Sequence, residues 1–196
     1  MWDQRYSEPG FAYGTEPNDF LVHSASLLRP ESRILCLCEG EGRNAVYLAK
    51  SGHDVTAMDM SAVGLQKAQS LADAQGVSIE TVEANVNDCA IGTNSFDAIV
   101  SIFCHLPPGL RTSVHEKICN GLSPGGILIL EGFSKKQIDN NTGGPRNLDM
   151  LLDLDVLKQE LAPLELAHCA EIEREIHEGT YHTGLATVIQ IIGTKP

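Results

Sequence analysis

From residue 33 onward, short apolar and β-branched runs alternate with segments whose apolar side chains recur at helical spacing. Strands of a sheet covered on both faces read as near-continuous apolar runs, and the helices that cover them keep a period near 3.6. The alternation therefore predicts βαβ units and a doubly wound, mostly parallel α/β sheet. The expected strands are RILCLC, DVTAM ending at Asp59, IETVEA, SFDAIVSIF and ILILEGF. VYLA opens one helical stretch, and Ser61 and Gly76 bracket a second through AVGLQKAQSLADAQ as N-cap and stop. A third, about residues 109 to 120, carries Leu110, Val114 and Ile118 on one stripe before the turn SPGG.

After the fifth strand the pattern changes. SKKQIDNNTGGPRN is polar, rich in turn formers and too long for an ordinary connection, which predicts a mobile lid over 133–148. A short helix follows, with Asp153 as cap and Leu154, Leu157 and Leu161 facing inward. Two long extended segments, LELAHCAEIEREI and GLATVIQIIGTK, then close the chain, joined by HEGTYHT. Seven residues cannot carry a parallel crossover, so these form an antiparallel hairpin and complete a seven-stranded sheet. The first 30 residues stand outside the βα pattern as a helical cap, with Trp2, Tyr6, Phe11 and Tyr13 around an amphipathic helix near residues 18 to 28.

Length and charge narrow the picture. A chain of 196 residues holds one well-cored domain. Its formal charge of -12, from 26 acidic and 14 basic side chains, repels phosphate backbones and anionic lipid headgroups. Nucleic acid and membrane partners are thereby disfavoured, and a small polar or cationic molecule remains compatible. The six cysteines lie mostly in apolar segments without a CxxC pair, and no basic-then-apolar leader opens the chain. A reduced, cytoplasmic and monomeric protein is the expectation.

The chemistry concentrates in CEGEGRNA, residues 38 to 45, at the tip of the first strand. Gly40, Gly42 and Ala45 fit the spacing of a nucleotide-binding βα turn, and Asp59 ends the second strand where an acid meets a ribose. A nucleoside cofactor follows, either a nicotinamide dinucleotide or S-adenosylmethionine (SAM). Glu39 and Glu41 in the loop oppose a diphosphate and suit a sulfonium and an ammonium. The terminal hairpin and the lack of room for a second domain point the same way.

In WDQRY, YGTEPNDFL, ILCLCEGEGRNAVYLA, VTAMDMS, EANVND, SFDAIVSIFCHLP, LSPGGILILEGF and the closing hairpin, the chain resembles the class I SAM-dependent methyltransferases, and among them the small tellurite-resistance and thiopurine type. The resemblance implies that backbone at Cys38, Glu39 and Gly40 holds the methionine part of SAM, that Asp59 takes the ribose hydroxyls, that Met60 lines the adenine, and that Asn85 and the Val86 amide contact its edge. That family more often has Asp at the place of Cys36, Gly at the place of Cys38 and Asp at the place of Asn85.

Methyl transfer from a sulfonium needs alignment and dryness more than a dedicated catalyst, and a base only for acceptors that carry a proton. His105, in FCHLP at the carboxyl end of the fourth strand, is the first candidate for that base or for a wall against the cofactor. Cys104 beside it reads as filler. Tyr6, Phe11 and Tyr13 are candidates for an aromatic wall over the sulfonium, Arg5 for the cofactor carboxylate, and Gly143, Gly144 and Arg146 for a lid hinge that binds an anionic substrate group. His177, Glu178 and His182 flank the hairpin turn and read as polar turn residues, so no metal is assigned. Two alternatives stay open beside a small-molecule methyltransferase: a compact NAD(P)-dependent oxidoreductase and a non-catalytic SAM-binding module.

Overall fold

The computed structural model describes all 196 residues. Seven strands form one sheet: β1 (Arg33–Leu37), β2 (Asp54–Asp59), β3 (Glu80–Glu83), β4 (Phe96–Ile102), β5 (Leu122–Phe133), β6 (Glu165–Glu178) and β7 (His182–Thr194), in the spatial order β3-β2-β1-β4-β5-β7-β6. The first five are parallel and β7 runs antiparallel to both of its neighbours. Strand order reverses between β1 and β4, which opens a crevice beyond their carboxyl ends.

Alternation along each strand divides the apolar side chains between two cores. Leu35 and Leu37 of β1, with Ile99 of β4 and Leu128 and Leu130 of β5, pack against α5 (Pro108–Gly121) and α6 (Leu154–Glu160). Ile34 and Cys36, with Val55, Ala57, Ala98 and Val100, pack on the other face against α2 (Asp19–Ser24), α3 (Arg43–Lys50) and α4 (Ala62–Ala74). Cys36 is fully buried there, so an acid at this position would stand in an apolar layer with no charge to meet it.

Several local signals act as read. The Ser61 hydroxyl accepts from Gly64 N–H at the start of α4, Gly76 turns out of that helix with φ of +69°, and the Asp153 carboxylate accepts from Asp155 and Val156 N–H. SPGG differs from its reading as a plain turn. β5 already begins at Leu122, opposite Phe96, and the register jumps to Ala98 against Ile127, so SPGG is an excursion within one strand. The cap helix is shorter than its amphipathic pattern suggested: α2 stops at Ser24 and a 3-10 turn, Ala25–Leu27, completes it.

The cap is pinned by buried polar groups. Asn18 caps α2, donates through its amide to Glu131 and Glu178, and its backbone N–H reaches Asn44 on α3. Arg174 pairs with Glu131, and Arg43 pairs with Glu178 at 2.8 Å. These bonds join the cap, β5, α3 and the hairpin, whose partners lie 113 and 160 positions apart in the chain. The segment expected to be a mobile lid is also held. It makes a 3-10 turn (Lys135–Asp139), Gln137 bonds the Thr187 N–H of β7, and Thr142 bonds the backbone at Thr183 and Leu185. No helix is long and apolar enough to cross a membrane.

Candidate functional site

A cleft of about 610 Å³ opens over the carboxyl ends of β1, β2 and β4 and under the cap. Its wall is built from the glycine turn, the ends of those strands, the segment at Gly143–Gly144 and the tip of the β6–β7 hairpin. Cys38 and Phe103, which leave the adjacent strands β1 and β4, both have left-handed backbones, with φ of +53° and +52°. Side chains rarely adopt this conformation, at a cost of about 1–2 kcal/mol each, and such strain collects where a chain must turn sharply around a ligand. Glycine at position 38 would relieve it, which is the physical meaning of the departure at Cys38. The hydrogen bond with the neighbouring Cys104 thiol, and then burial, push the Cys38 thiol well up, so it stays protonated.

The glycine turn is shaped by what touches it. Gly40, with φ of +64°, leaves room for the Tyr6 ring: a Cβ there would stand 2.5 Å from the Tyr6 hydroxyl. Asp59 holds the turn from β2. One carboxylate oxygen accepts from Gly40 N–H and the other from Ser61 N–H, both at 2.9 Å. A carboxylate has about four acceptor positions, so two remain for hydroxyl donors in the cleft that Asp59 lines.

The two loop acids differ from their expected role. Glu39 turns back onto α3, where one oxygen accepts from both Asn44 and Ala45 N–H at 2.8 Å. Burial raises its pKa to about 7, against the pull of those bonds and of Arg43. Glu41 accepts from Ala12 N–H and pairs with Lys67 at 2.8 Å. Glu41 has both oxygens bonded, whereas Glu39 keeps its second oxygen unbonded in the cleft wall. Both serve to build the turn and to fasten the cap. The consequence for cofactor choice is larger than the one read from charge alone: the helix N-terminus that would cradle a diphosphate already holds the protein's own carboxylate.

Of the remaining candidates, Arg5, Tyr6, Tyr13, Met60, Asn85, Val86 and His105 line the cleft. Arg5 donates to the Tyr13 hydroxyl at 2.7 Å and its guanidinium lies over the Trp2 and Tyr181 rings. Met60 is half exposed, the Asn85 carbonyl oxygen already accepts from Asn87 N–H, and the Val86 N–H makes no hydrogen bond. Tyr6 is buried, stacked on Trp2, and its hydroxyl pKa is raised by burial and by Asp59.

Three expectations need correction. Phe11 lies outside the cleft, packed on the apolar layer of α2 and α3 with Lys67 over its ring. Arg146 is exposed, bonded to Asn140 and Asn141, and outside the cleft as well. His105 lines the cleft but has no free nitrogen: its Nδ1 lies 2.9 Å from the Met150 carbonyl oxygen and its Nε2 accepts from Phe133 N–H. Burial lowers its pKa to about 4. It is a neutral wall residue whose two nitrogens are spent on backbone, and no position remains to take a proton from an acceptor.

His182 is what sequence reasoning missed. The hairpin turn is Gly179–Tyr181 rather than seven residues, so Glu178 and His182 are the last cross-strand pair and lie on one face. His182 is buried within the cleft wall among Tyr13, Phe103 and Phe133, with ring centroids 4.5, 4.7 and 5.0 Å away. Gly143 makes this possible, since a Cβ there would stand 2.8 Å from His182 Cδ2. The lid glycines thus serve close approach. The sequence signal that could have found the pair is Glu-x-x-x-His across a turn containing glycine.

The comparisons agree with this architecture. Residues 34–126 match the family described as a methyltransferase domain. Over 147 residues, 71% of this chain, it is 31% identical to a glycine/sarcosine/dimethylglycine N-methyltransferase of Actinopolyspora halophila, of which the match covers 26%. In structure it is similar to TehB from Haemophilus influenzae, with a TM-score of 0.75 at 20% identity, covering 100% of this chain and 66% of that one. It is also similar to a SAM-dependent methyltransferase from Methanosarcina mazei, with a TM-score of 0.74 at 19% identity over 92% of this chain and 98% of that one. The chain spans about a quarter of the length of the first relative and 40% and 45% of two others. Its fold is the Rossmann-like fold of the class I SAM-dependent methyltransferases, and the stretch that matches the methyltransferase-domain family, residues 34–126, runs from the first strand into the fifth.

Proposed function

We propose that this protein transfers a methyl group from SAM to a small-molecule nucleophile bound between the cofactor and the hairpin tip. The observation that carries the reading is the pairing, at the switch point, of one acid that occupies a helix N-terminus with another that faces the cleft. Glu39 fills the helix N-terminus that a diphosphate would need, while Asp59 keeps acceptor capacity toward the cleft. That combination suits an adenosine with a ribose and no phosphates. SAM, when bound, supplies an electrophilic methyl on a sulfonium.

In this reading Asp59 accepts from the ribose hydroxyls, Met60 covers the adenine, and Asn85 with the free Val86 N–H meets its edge. Backbone at Cys38 and Gly40 runs beside the methionine part, and Arg5, which has no carboxylate partner in the cleft, meets its carboxylate. Tyr13, Phe103 and the Tyr181 ring keep water from the reacting centre. Alignment of this kind can offset about 7–11 kcal/mol of a barrier, so a soft nucleophile needs no further catalyst. The finer placement among the small tellurite-resistance and thiopurine enzymes rests on the order of the sequence motifs. That placement leaves thiols, metalloids and hydroxyl compounds open as acceptor classes.

Calorimetry with S-adenosylhomocysteine and with NADPH tests the reading, followed by a transfer screen with labelled SAM against thiols, tellurite, arsenite, halides and hydroxylated compounds. Binding of the adenosyl compound and label in one acceptor class are expected. Binding of NADPH alone would return the oxidoreductase, and adenosyl binding with no turnover would leave a non-catalytic module.

A further inference from the structure

His182 in the cleft wall and Glu178 behind it form a titratable pair that positioning alone does not use. Glu178, at the end of β6, lies 3.3 Å from His182 Nδ1. Burial opposes its charge, but bonds from His182 and the Arg43 guanidinium hold its carboxyl down at about 2, so it is ionised and can only accept. Nδ1 must therefore carry the proton, which leaves Nε2 as the lone-pair nitrogen. Nε2 makes no hydrogen bond, and the one buried side-chain nitrogen or oxygen without a partner is His168 Nε2, so His182 Nε2 reaches the space of the cleft. The contrast with His105, whose two nitrogens are both engaged by backbone, is complete.

We propose that His182, oriented by Glu178, is the proton acceptor for the methyl acceptor, and that the acceptor class is accordingly an amine, hydroxyl or thiol rather than a halide or metalloid. The inference rests on the methyl-transfer reading above. In the step, a lone pair of the acceptor atom forms the new bond to carbon, the carbon–sulfur bond breaks with its pair remaining on sulfur, and the acceptor's proton passes to Nε2. The resulting imidazolium is held by the Glu178 carboxylate and later loses its proton to water. Glu178 is a positioning residue: it sets the tautomer and favours the charged ring.

The surroundings keep His182 neutral between turnovers. Burial lowers its pKa from the ordinary histidine value, Glu178 raises it, and Arg43 on α3 and Arg5 on the α1 helix (Trp2–Tyr6) lower it. Tyr13 from the cap and His105 from the β4–α5 connection complete the titratable groups that face it. A neutral ring at pH 7 is the form a base requires.

The test uses the full chain labelled with 15N-histidine. Ring nitrogen shifts should show His182 with Nδ1 protonated and Nε2 bare at neutral pH, and Glu178→Gln should mix the tautomers. His182→Gln should bind S-adenosylhomocysteine within about threefold of wild type while losing about a hundredfold or more in kcat on whichever of p-cresol, benzylamine and 2-mercaptoethanol the wild type methylates. Iodide, which carries no proton, serves as control, and any methylation of it should survive the substitution. An Nε2–H tautomer in the wild type overturns the proposal without any turnover measurement. So does a wild type that binds the adenosyl compound but methylates none of the three proton-bearing probes, or a His182→Gln variant that loses iodide methylation and adenosyl binding alike. Wild type that does not bind S-adenosylhomocysteine takes down the methyl-transfer reading itself, a separate result from loss of the proton role alone.

Discussion

Asp59→Asn isolates the part of the site on which cofactor binding depends. The substitution keeps size and shape but replaces one acceptor oxygen with an NH2 group. In the native chain the two carboxylate oxygens accept from Gly40 and Ser61 N–H, so one of those buried donors must lose its partner. An unsatisfied buried donor costs about 1–3 kcal/mol, and a domain of this size loses about 2–4 °C of thermal midpoint per kcal/mol, so unfolding should move down by several degrees. A ribose hydroxyl bonded to a charged acceptor contributes about 1.5–3 kcal/mol, which converts to a loss of about tenfold to a hundredfold in affinity for S-adenosylhomocysteine. Isothermal calorimetry measures the second quantity and differential scanning calorimetry the first. Glu83→Gln, on the exposed edge strand opposite Asp59, removes a similar charge without touching the turn and should leave both unchanged. Affinity of Asp59→Asn within about twofold of wild type, with the midpoint lowered, would show that Asp59 braces the turn and does not meet the ribose.

Other outcomes follow from the same geometry. Gly40→Ala places a Cβ 2.5 Å from the Tyr6 hydroxyl at a φ of +64°, and should cost about 1–3 kcal/mol by denaturant titration; Gly76→Ala, with open space around it, should cost less despite its similar φ of +69°. Gly143→Ala should displace His182, seen as a changed imidazole shift, because its Cβ would meet His182 Cδ2 at 2.8 Å; an unchanged ring would restore the hinge role for this glycine. Glu160 is half-buried, which opposes its charge, but bonds from His115, Arg111 and Thr112 lower its carboxyl from 4.5 to about 2. A depressed acid contributes stability that is present above its unfolded value and lost as pH falls through the folded one. The thermal midpoint should therefore drop between about pH 4.5 and 2, and Glu160→Gln should flatten that limb while lowering the midpoint at pH 7.

How much of this was legible depends on the range over which each signal acts. Strand and helix positions, the caps at Ser61 and Asp153, the glycine turn and Asp59 are set by residues within a few positions of one another, and period and turn chemistry report them directly. The antiparallel hairpin was legible because a short connection excludes a crossover. Its register was not. Seven residues between apolar runs left the last two cross-strand pairs undecided, and one of those pairs is Glu178 with His182. His105 was placed at the correct end of the sheet by position in the chain, but its partners, Met150 and Phe133, are 45 and 28 residues away.

By itself, then, the chain's residue order determined the seven-stranded sheet, its switch point, the bare turn and the acid that faces it, since each follows from local periodicity and from backbone freedom at glycine. Tertiary structure alone decided which polar groups are spent and which are free. One oxygen of Glu39 is consumed by its own helix, Glu41 by the cap and Lys67, His105 by two backbone groups, and Phe11 and Arg146 are carried away from the cleft, while the last turn of the hairpin brings His182 into it. The reason is physical: a buried donor or acceptor takes whichever partner folding brings within about 3 Å, and that partner's place in the chain bears no relation to its distance in space.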